Sequence, residues 1–194
     1  MKLEKIVLKG KRIVLRPLRK SDTKDIVEYA HEKLMHKFVT DIPYPYRKKD
    51  AEWFIKETRK DLRKGKELQL GIELDGKIIG SLGLHHFDKK YGEIGYVLGR
   101  KYRRKGYTSE AAKLLLDYGF KKLKLQRIGA SCDIRNKASA SLLKKLGFKQ
   151  EGIFRKHRLV DGKYYDELRF GMLRKEYKKW AINQTFGKCM RSSF

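Results

Sequence analysis

Two apolar runs joined by Asp75-Gly76 predict a β-hairpin near the middle of the chain. The runs, 68–74 and 77–84, have the length and composition of strands, and an Asp-Gly turn between such runs is among the strongest short-range hairpin signals. A third run, 91–98, follows and predicts a third strand. The chain is therefore expected to contain an antiparallel meander.

The rest of the sequence alternates helix-like and strand-like segments, and 38–46 is predicted to be a loop. The predicted strands are 11–18, 128–132, 148–158 and 164–173, and the predicted helices are 22–34, 50–64, 109–123 and 136–146. A meander combined with crossover helices indicates the α+β class.

The 194 residues carry 49 Lys and Arg against 23 Asp and Glu. The length predicts one domain, 1–177, followed by a basic tail, 178–194. The longest stretch without Asp, Glu, Lys or Arg is 78–87, about half of a membrane span. No transmembrane helix or signal peptide is predicted, and the expected location is cytoplasmic. Cys132 and Cys189 are too few for a disulfide framework.

The formal charge of +26 attracts polyanions such as RNA, anionic membranes or phosphorylated ligands. The basic residues are scattered through almost every segment. This fits a Lys-rich proteome with ion-pair networks as well as it fits a nucleic-acid surface, and both interpretations stay open.

Only the basic run 100–105 is concentrated, between a predicted strand and a predicted helix, and it is followed by Gly106. Free N–H groups at a helix N-terminus bind anions, glycine allows close backbone approach, and Arg and Lys add charged donors. Alone, this segment fits a phosphate site and a solvated or RNA-contacting loop equally well.

A longer pattern surrounds this run. The segment 92–98, GEIGYVL, followed by Tyr102-Arg103-x-x-Gly106-Tyr107-Thr108-x-Glu110-Ala111, resembles the acyl-CoA signature of the GNAT N-acetyltransferase superfamily. Further motifs follow in order: Asn136-x-x-Ser139, Leu146-Gly147-Phe148, Asp161-Gly162-Lys163-Tyr164-Tyr165-Asp166 and Met172-Leu173-x-x-Glu176-Tyr177. Together they are similar to the branch that acetylates the N-termini of ribosomal proteins.

The resemblance implies a mixed, mostly antiparallel sheet flanked by helices, with an acyl-CoA cleft between the fourth and fifth predicted strands, 91–98 and 128–132. Acetyl-CoA is the implied co-substrate, and no metal is implied. Asn136 would cap the far end of the pantetheine, which would pair with the backbone of Tyr96, Val97 and Leu98. The pyrophosphate would meet the loop of Arg103, Arg104, Lys105, Gly106, Tyr107 and Thr108.

Three positions depart from the family pattern. The family usually has glycine where Arg104 stands and a small residue where Thr108 stands. Arg104 is therefore expected to adopt a conformation that its side chain allows and to add a phosphate donor. Many relatives place a general-acid tyrosine three residues before the Leu-Gly-Phe motif, but Leu143 stands there, so the acid is not identified.

Acetyl transfer to an amine needs a base, a donor to the oxyanion and a proton for the thiolate. Glu93 is the candidate base because it shares a strand face with Gly95 and Val97, and a carboxylate on a mostly apolar face binds a proton more readily. Periodicity alone would favour an ordinary ion-paired glutamate. Ser139 is the candidate on the thiolate side, and a serine bonded to its own helical turn is at least as good an interpretation.

Other reactive residues give no site. His85 and His86 are adjacent on a strand and point to opposite faces, while His31 and His36 do not share a helix face, so no metal site is expected. Cys132 has no histidine near it in sequence to activate it, which favours a small buried residue over a nucleophile.

Three functions compete. The first is an acetyltransferase acting on a protein N-terminus, possibly on the ribosome. The second acts on a small molecule such as a polyamine or an amino sugar, although a basic protein repels a polycation unless a local acidic pocket intervenes. The third is a nucleic-acid-binding module that keeps the fold. Acceptor identity would depend on the loop 38–46 and the hairpin at Asp161.

Overall fold

A computed structural model describes residues 3–39, 41–85 and 90–189, with side chains described through residue 182. The strands are β1 (Leu8–Lys9), β2 (Val14–Arg16), β3 (Leu68–Leu74), β4 (Lys77–His85), β5 (Tyr91–Leu98), β6 (Arg127–Asp133), β7 (Lys149–Val160) and β8 (Lys163–Leu173). The α-helices are α1 (Thr23–Ala30), α2 (Lys33–Phe38), α3 (Lys48–Lys64), α4 (Tyr107–Asp117), α5 (Lys137–Lys145) and α6 (Arg174–Cys189).

The strands form one eight-stranded sheet in the order β1-β2-β3-β4-β5-β6-β8-β7. Neighbouring strands run antiparallel except β5 and β6, which are parallel. The Asp75-Gly76 turn joins β3 to β4, and Asp161-Gly162 joins β7 to β8. The predicted α+β class and the mixed, mostly antiparallel sheet are confirmed.

The pairing between β5 and β6 is short. The pairs are Tyr91 with Arg127, Gly92 with Ile128 and Glu93 with Gly129. Beyond them β5 stays paired with β4 as far as Leu98, and β6 stays paired with β8 as far as Asp133. The two strands therefore separate after Glu93 and open the sheet where the cleft was predicted.

Apolar helix faces cover the sheet. Leu115 and Leu116 of α4, and Phe120 in the π-helical turn after it, are buried in one cluster with Ile128, as the predicted helical spacing requires. Ile26 of α1 and Ile55 of α3 belong to a second buried cluster. These clusters hold α3 and α4 against the sheet. In the sequence, α3 precedes and α4 follows the β5 residues that border the opening.

Two predicted elements near the N-terminus are shorter than expected. The helix predicted through Leu34 is divided, because the backbone leaves helical geometry at His31 and Glu32, where Glu32 has φ −139° and ψ 120°. The Glu32 carboxylate pairs with the Arg103 guanidinium at 2.6 Å. The strand predicted at 11–18 is reduced to β2, which ends before Pro17.

Part of the basic tail predicted at 178–194 is helical, because residues 178–189 continue α6. Tyr177 in this helix is buried and donates a hydrogen bond to Asp117 at 2.6 Å. Trp180, one turn later, packs against Gly147. These contacts hold the helix on the core, so it passes the predicted boundary at 177. Residues 190–194 lie outside the described part.

We expect Gly147→Ala to lower the free energy of unfolding by about 2–3 kcal/mol. Gly147 has φ +91°, and an added Cβ would lie 2.7 Å from Trp180 Cδ1. Gly76→Ala is the control, because Gly76 has φ +80° with no heavy atom within 4 Å of the added Cβ, so it carries only the backbone cost of about 1 kcal/mol. Equal losses in urea unfolding would contradict the Trp180 contact.

Candidate active site

A cavity of about 970 Å³ lies where β5 and β6 separate. β5 lines it over 93–97 and β6 over 130–132, while Ser139 and Leu143 of α5 and one face of α3 complete the walls. Its volume is in the range of small-molecule and cofactor sites. The predicted cleft is thus an open space lined by the predicted strands.

The loop before α4 has the geometry of an anion site. Gly106 has φ +85° and immediately precedes the helix, and the N–H of Glu110 makes a helical bond to the Gly106 carbonyl at 3.0 Å. The N–H groups of residues 107–109 therefore have no acceptor within the helix. This loop follows β5 through a short 3-10 turn, Arg100–Tyr102, so it lies beyond the carboxyl end of the strand that lines the cavity.

Arg103 does not have the position predicted for a phosphate donor. Its Nε donates to the Leu98 carbonyl at 2.9 Å, and its two Nη atoms donate to the Glu32 carboxylate at 3.0 and 2.6 Å. The guanidinium charge is balanced by Glu32. Arg103 therefore ties the loop to the end of β5 and to the break between α1 and α2.

Arg104 does not adopt the conformation expected of it. Its φ is +61°, in the left-handed region, which residues other than glycine rarely adopt. The structure therefore gives a physical reason for the glycine that the family usually has here. The exposed side chains of Arg104 and Lys105 remain as basic groups beside the free N–H groups.

We expect Arg104→Gly to be more stable than Arg104→Ala by about 1 kcal/mol, because only alanine keeps a Cβ at positive φ. Both variants remove the same charge. They should therefore weaken CoA binding equally if the side chain contacts the phosphates. Thermal unfolding with and without CoA measures both effects, and equal melting temperatures would contradict the strain at Arg104.

Arg12 is a site residue that the sequence did not reveal. Its backbone N–H and Nε donate to the two carboxylate oxygens of Glu110 at 2.8 and 2.9 Å, and its Nη1 donates to the Lys105 carbonyl at 2.9 Å. Its guanidinium lies 4.7 Å from the centre of the Tyr107 ring. Burial raises the pKa of Glu110, but the Arg12 hydrogen bonds and charge outweigh it and lower that pKa overall.

A hydroxyl pair crosses the cavity from β5 to α5. The Tyr96 hydroxyl lies 2.9 Å from Ser139 Oγ, and burial raises the pKa of Tyr96 to about 12. Ser139 Oγ thus pairs with the hydroxyl of Tyr96, and its role on the thiolate side stays a prediction. The sequence identified Tyr96 only as a backbone contact.

The structure also defines the surroundings of three other residues that the sequence singles out, Asn136, Leu143 and Cys132. The Asn136 amide oxygen accepts the Ser139 N–H at 3.1 Å and so caps α5, while its amide NH₂ group can donate to a ligand. Leu143 is buried and lines the cavity, so this position offers no hydroxyl. Cys132 is buried, and burial raises the pKa of its thiol, which agrees with an unreactive side chain.

The Glu93 carboxylate has polar neighbours instead of the mostly apolar surroundings that the sequence predicts. Its Oε1 accepts a hydrogen bond from the Tyr91 hydroxyl at 2.5 Å and lies 3.6 Å from Arg169 Nη1. Burial, followed by the hydrogen bond to Glu93, raises the pKa of Tyr91 to about 12. His85 of β4 lies directly opposite Glu93. Both residues line the cavity.

Two absences hold for the described residues. No group of three or more His, Cys, Asp and Glu side chains is placed to hold a metal ion among them; His86 lies outside this part of the chain. Over the same ranges, 3–39, 41–85 and 90–189, no helix has the length and apolar character needed to cross a membrane.

A family model described as an acetyltransferase (GNAT) domain matches residues 12–149. The chain belongs to the GNAT acetyltransferase family. The uncharacterized N-acetyltransferase YnaD of Bacillus subtilis (strain 168) is 29% identical over 168 residues, covering 86% of this chain and 96% of YnaD. The crystal structure of a GNAT-family acetyltransferase from Bacillus anthracis is 29% identical with a TM-score of 0.78, covering 88% of this chain and 99% of that one. This GNAT protein is an N-acetyltransferase.

Two further relatives of this GNAT enzyme have names that include an acceptor. The putative ribosomal N-acetyltransferase YdaF of Bacillus subtilis (strain 168) is 27% identical over 66% of this chain and 70% of YdaF. The spermidine N(1)-acetyltransferase of Escherichia coli (strain K12) is 25% identical over 85% of this chain and 88% of that enzyme. Their names point to two different acceptors.

Proposed function

We propose that this N-acetyltransferase takes its acetyl group from acetyl-CoA bound between β5 and β6. The loss of pairing after Glu93 carries the proposal, because it leaves one edge of β5 to pair with the pantetheine amides as an added strand would. The N–H groups of residues 107–109 would bind the pyrophosphate. The Asn136 amide NH₂ would donate to the far end of the pantetheine.

The Tyr96 and Ser139 hydroxyls suit the last step of the reaction, in which the leaving thiolate is protonated. The amine nitrogen attacks the thioester carbonyl carbon, the C–N bond forms, the C–S bond breaks, and the CoA sulfur leaves as a thiolate that needs a proton. A tyrosine with a raised pKa stays protonated near neutral pH, so it can donate that proton. Ser139 would orient the Tyr96 hydroxyl and return a proton to it through solvent. Leu143 cannot take this role.

For the acceptor, we propose first a protein N-terminus, and the name of YdaF supports a ribosomal one. An N-terminal ammonium group must lose a proton before its nitrogen can attack, as any protonated amine acceptor must. The basic surface would raise the rate of encounter with ribosomal RNA, so co-sedimentation with ribosomes should fall steeply as salt rises. Glu93 as the base for this step stays a prediction.

The charge of the cavity supports a second candidate, a polyamine-like acceptor. Among the 30 described residues that line the cavity, six are acidic, and Arg158 is the one arginine or lysine. The Arg158 Nη atoms face Glu167 and the Phe38 carbonyl, so its charge is partly balanced. The six carboxylates belong to Asp41, Asp50, Glu57, Asp61, Glu67 and Glu93. Glu57 is paired with Lys60 at 2.6 Å and Glu93 lies 3.6 Å from Arg169, which leaves a lining in which acidic side chains still outnumber basic ones. In a chain of charge +26 this lining would attract a polycation, and the name of the spermidine acetyltransferase relative supports this acceptor.

Release of CoA thiol from acetyl-CoA tests the proposal. The acceptors compared would be spermidine, n-butylamine, a neutral N-terminal peptide and the same peptide extended by lysines. If the acidic cavity selects the acceptor, kcat/KM should rise with the positive charge of the acceptor. A neutral peptide that outperforms both spermidine and the lysine peptide would contradict this selection. No thiol release with any amine, and no CoA-dependent rise in melting temperature, would overturn acetyl transfer itself.

A further inference from the structure

Glu67, immediately before β3, forms a polar row with His85 of β4 and Glu93 of β5 along the cavity wall. Leu68 pairs with Leu84, so Glu67 comes opposite His85, and His85 pairs with Glu93. Glu67, His85 and Glu93 all line the cavity. Directly opposite side chains in antiparallel strands are close neighbours, about 5 Å apart at Cβ. The row therefore places an imidazole between two carboxylates.

The hydrogen bond between His85 and Glu67 orients the imidazole. His85 Nδ1 lies 2.9 Å from Glu67 Oε2. An ionised carboxylate can only accept hydrogen bonds, so Nδ1 carries the proton. In the neutral imidazole the lone pair then lies on Nε2. The contact holds His85 as a proton acceptor through its second nitrogen.

His85 Nε2 lies at an open position in the cavity wall. A Cβ built on Gly95 would be 3.3 Å from Nε2, so the ring lies over a residue that has no side chain. Within the described residues, no group is hydrogen-bonded to Nε2. The side chain is about one-third exposed. A ligand amine above Gly95 would therefore meet this nitrogen first.

Glu93 is less open than His85. Its Oε1 already accepts the Tyr91 hydroxyl at 2.5 Å and faces Arg169 at 3.6 Å. His85 is thus flanked by Glu67, which precedes β3, and by Glu93 of β5, while Tyr91 of β5 and Arg169 of β8 contact Glu93. The carboxylate of Glu93 is placed to stabilise a positive charge on the neighbouring ring, while its Oε1 is occupied.

We infer that His85, held by Glu67, accepts the proton of the acceptor amine. The inference rests on the proposed acetyl transfer. The ammonium group gives one proton to His85 Nε2, and the resulting neutral amine attacks the thioester carbonyl. The C–N bond forms, the C–S bond breaks, and the second nitrogen proton reaches the CoA sulfur. The imidazolium then returns its proton to solvent, so the products are the amide, CoA thiol and one released proton.

The test is kcat as a function of pH for His85→Gln, with CoA binding followed by thermal shift. Losing the proton acceptor should lower kcat by about 10²-fold near neutral pH and remove the rise of kcat with pH, while CoA binding is retained. Glu67→Gln should cause a smaller loss of kcat, because the imidazolium loses its negative partner. His157→Gln is the matched control, since His157 makes the same kind of contact, 3.0 Å to Glu167, outside the cavity lining.

A purely structural role is tested with His85→Ala and added imidazole. Imidazole should restore part of kcat if the ring acts as a base, and it should not do so if the ring only packs. Wild-type kcat in His85→Gln, or a loss of about 10²-fold confined to Glu93→Gln, would overturn the inference and make Glu93 the base. An inactive wild-type protein with no CoA-dependent thermal shift would instead overturn the proposed function.

Discussion

Replacing Tyr96 with phenylalanine is expected to lower kcat by about 10²-fold or more with little change in CoA binding. The substitution keeps the ring that packs beside the cavity and removes only the hydroxyl that lies 2.9 Å from Ser139 Oγ. Because the pKa of Tyr96 is raised to about 12, the wild-type hydroxyl remains protonated and available to the thiolate. Steady-state thiol release gives kcat, and thermal shift with CoA gives the binding.

Tyr177→Phe provides the matched control for this substitution. It also removes one tyrosine hydroxyl, in this case the donor to Asp117 at 2.6 Å, but Tyr177 does not belong to the cavity lining. It should lower the melting temperature and leave kcat unchanged. If Tyr96→Phe keeps the wild-type kcat, the thiolate obtains its proton from water, and Ser139→Ala should then also be active.

Gly106→Val is expected to remove most of the rise in melting temperature that CoA produces, corresponding to a loss of affinity of about 10²-fold. Gly106 has φ +85° at the start of α4, and a β-branched residue adopts that conformation only at a high cost. A Cβ there would also lie 3.3 Å from Arg12 Nη2. The loop must therefore move away from the geometry that directs the N–H groups of residues 107–109 toward an anion.

Gly65→Val separates this local effect from general destabilisation. Gly65 has φ +66° at the end of α3, with no heavy atom within 4 Å of an added Cβ. Both variants should lose stability through the same backbone strain, but only Gly106→Val should lose the response to CoA. A full CoA-dependent thermal shift in Gly106→Val would contradict pyrophosphate binding at this helix terminus.

Features that depend on a short stretch of sequence could be predicted. The Asp75-Gly76 turn and the apolar runs beside it determine β3 and β4 through local backbone preferences. The apolar spacing of α4 predicts its buried face, because the helical repeat determines on which side of the helix each side chain lies. The motif from Gly92 through Glu110 predicts the cleft and the anion-binding loop as well, but only through its resemblance to a family.

Features that depend on distant partners could not be predicted. Arg103 pairs with Glu32, and Arg12 pairs with Glu110, and neither pair has any pattern in the sequence between its members. The sequence indicates His85 only as a possible metal ligand, because its contact with Glu67 depends on the register of two strands. The left-handed conformation of Arg104 was missed because arginine gives no signal for it.

The helical extension of α6 was missed for a different reason. Its residues are mostly polar, so the sequence contains no apolar face like that of α4. Two aromatic side chains, Tyr177 and Trp180, hold the helix on the core. Packing of this kind overrides local composition.

Because the parallel pairing of β5 and β6 is short, main-chain groups would bind the acetyl donor and side chains would bind the acceptor. In the proposed complex, peptide groups along the inner edge of β5 would bind a strand-like ligand whichever side chains the strand carries. The proposed acceptor wall would consist of individual carboxylates on α3 and neighbouring segments. Substitutions can therefore exchange one acceptor for another while the donor is still bound, so a single backbone arrangement can be adapted to acetylate many different amines.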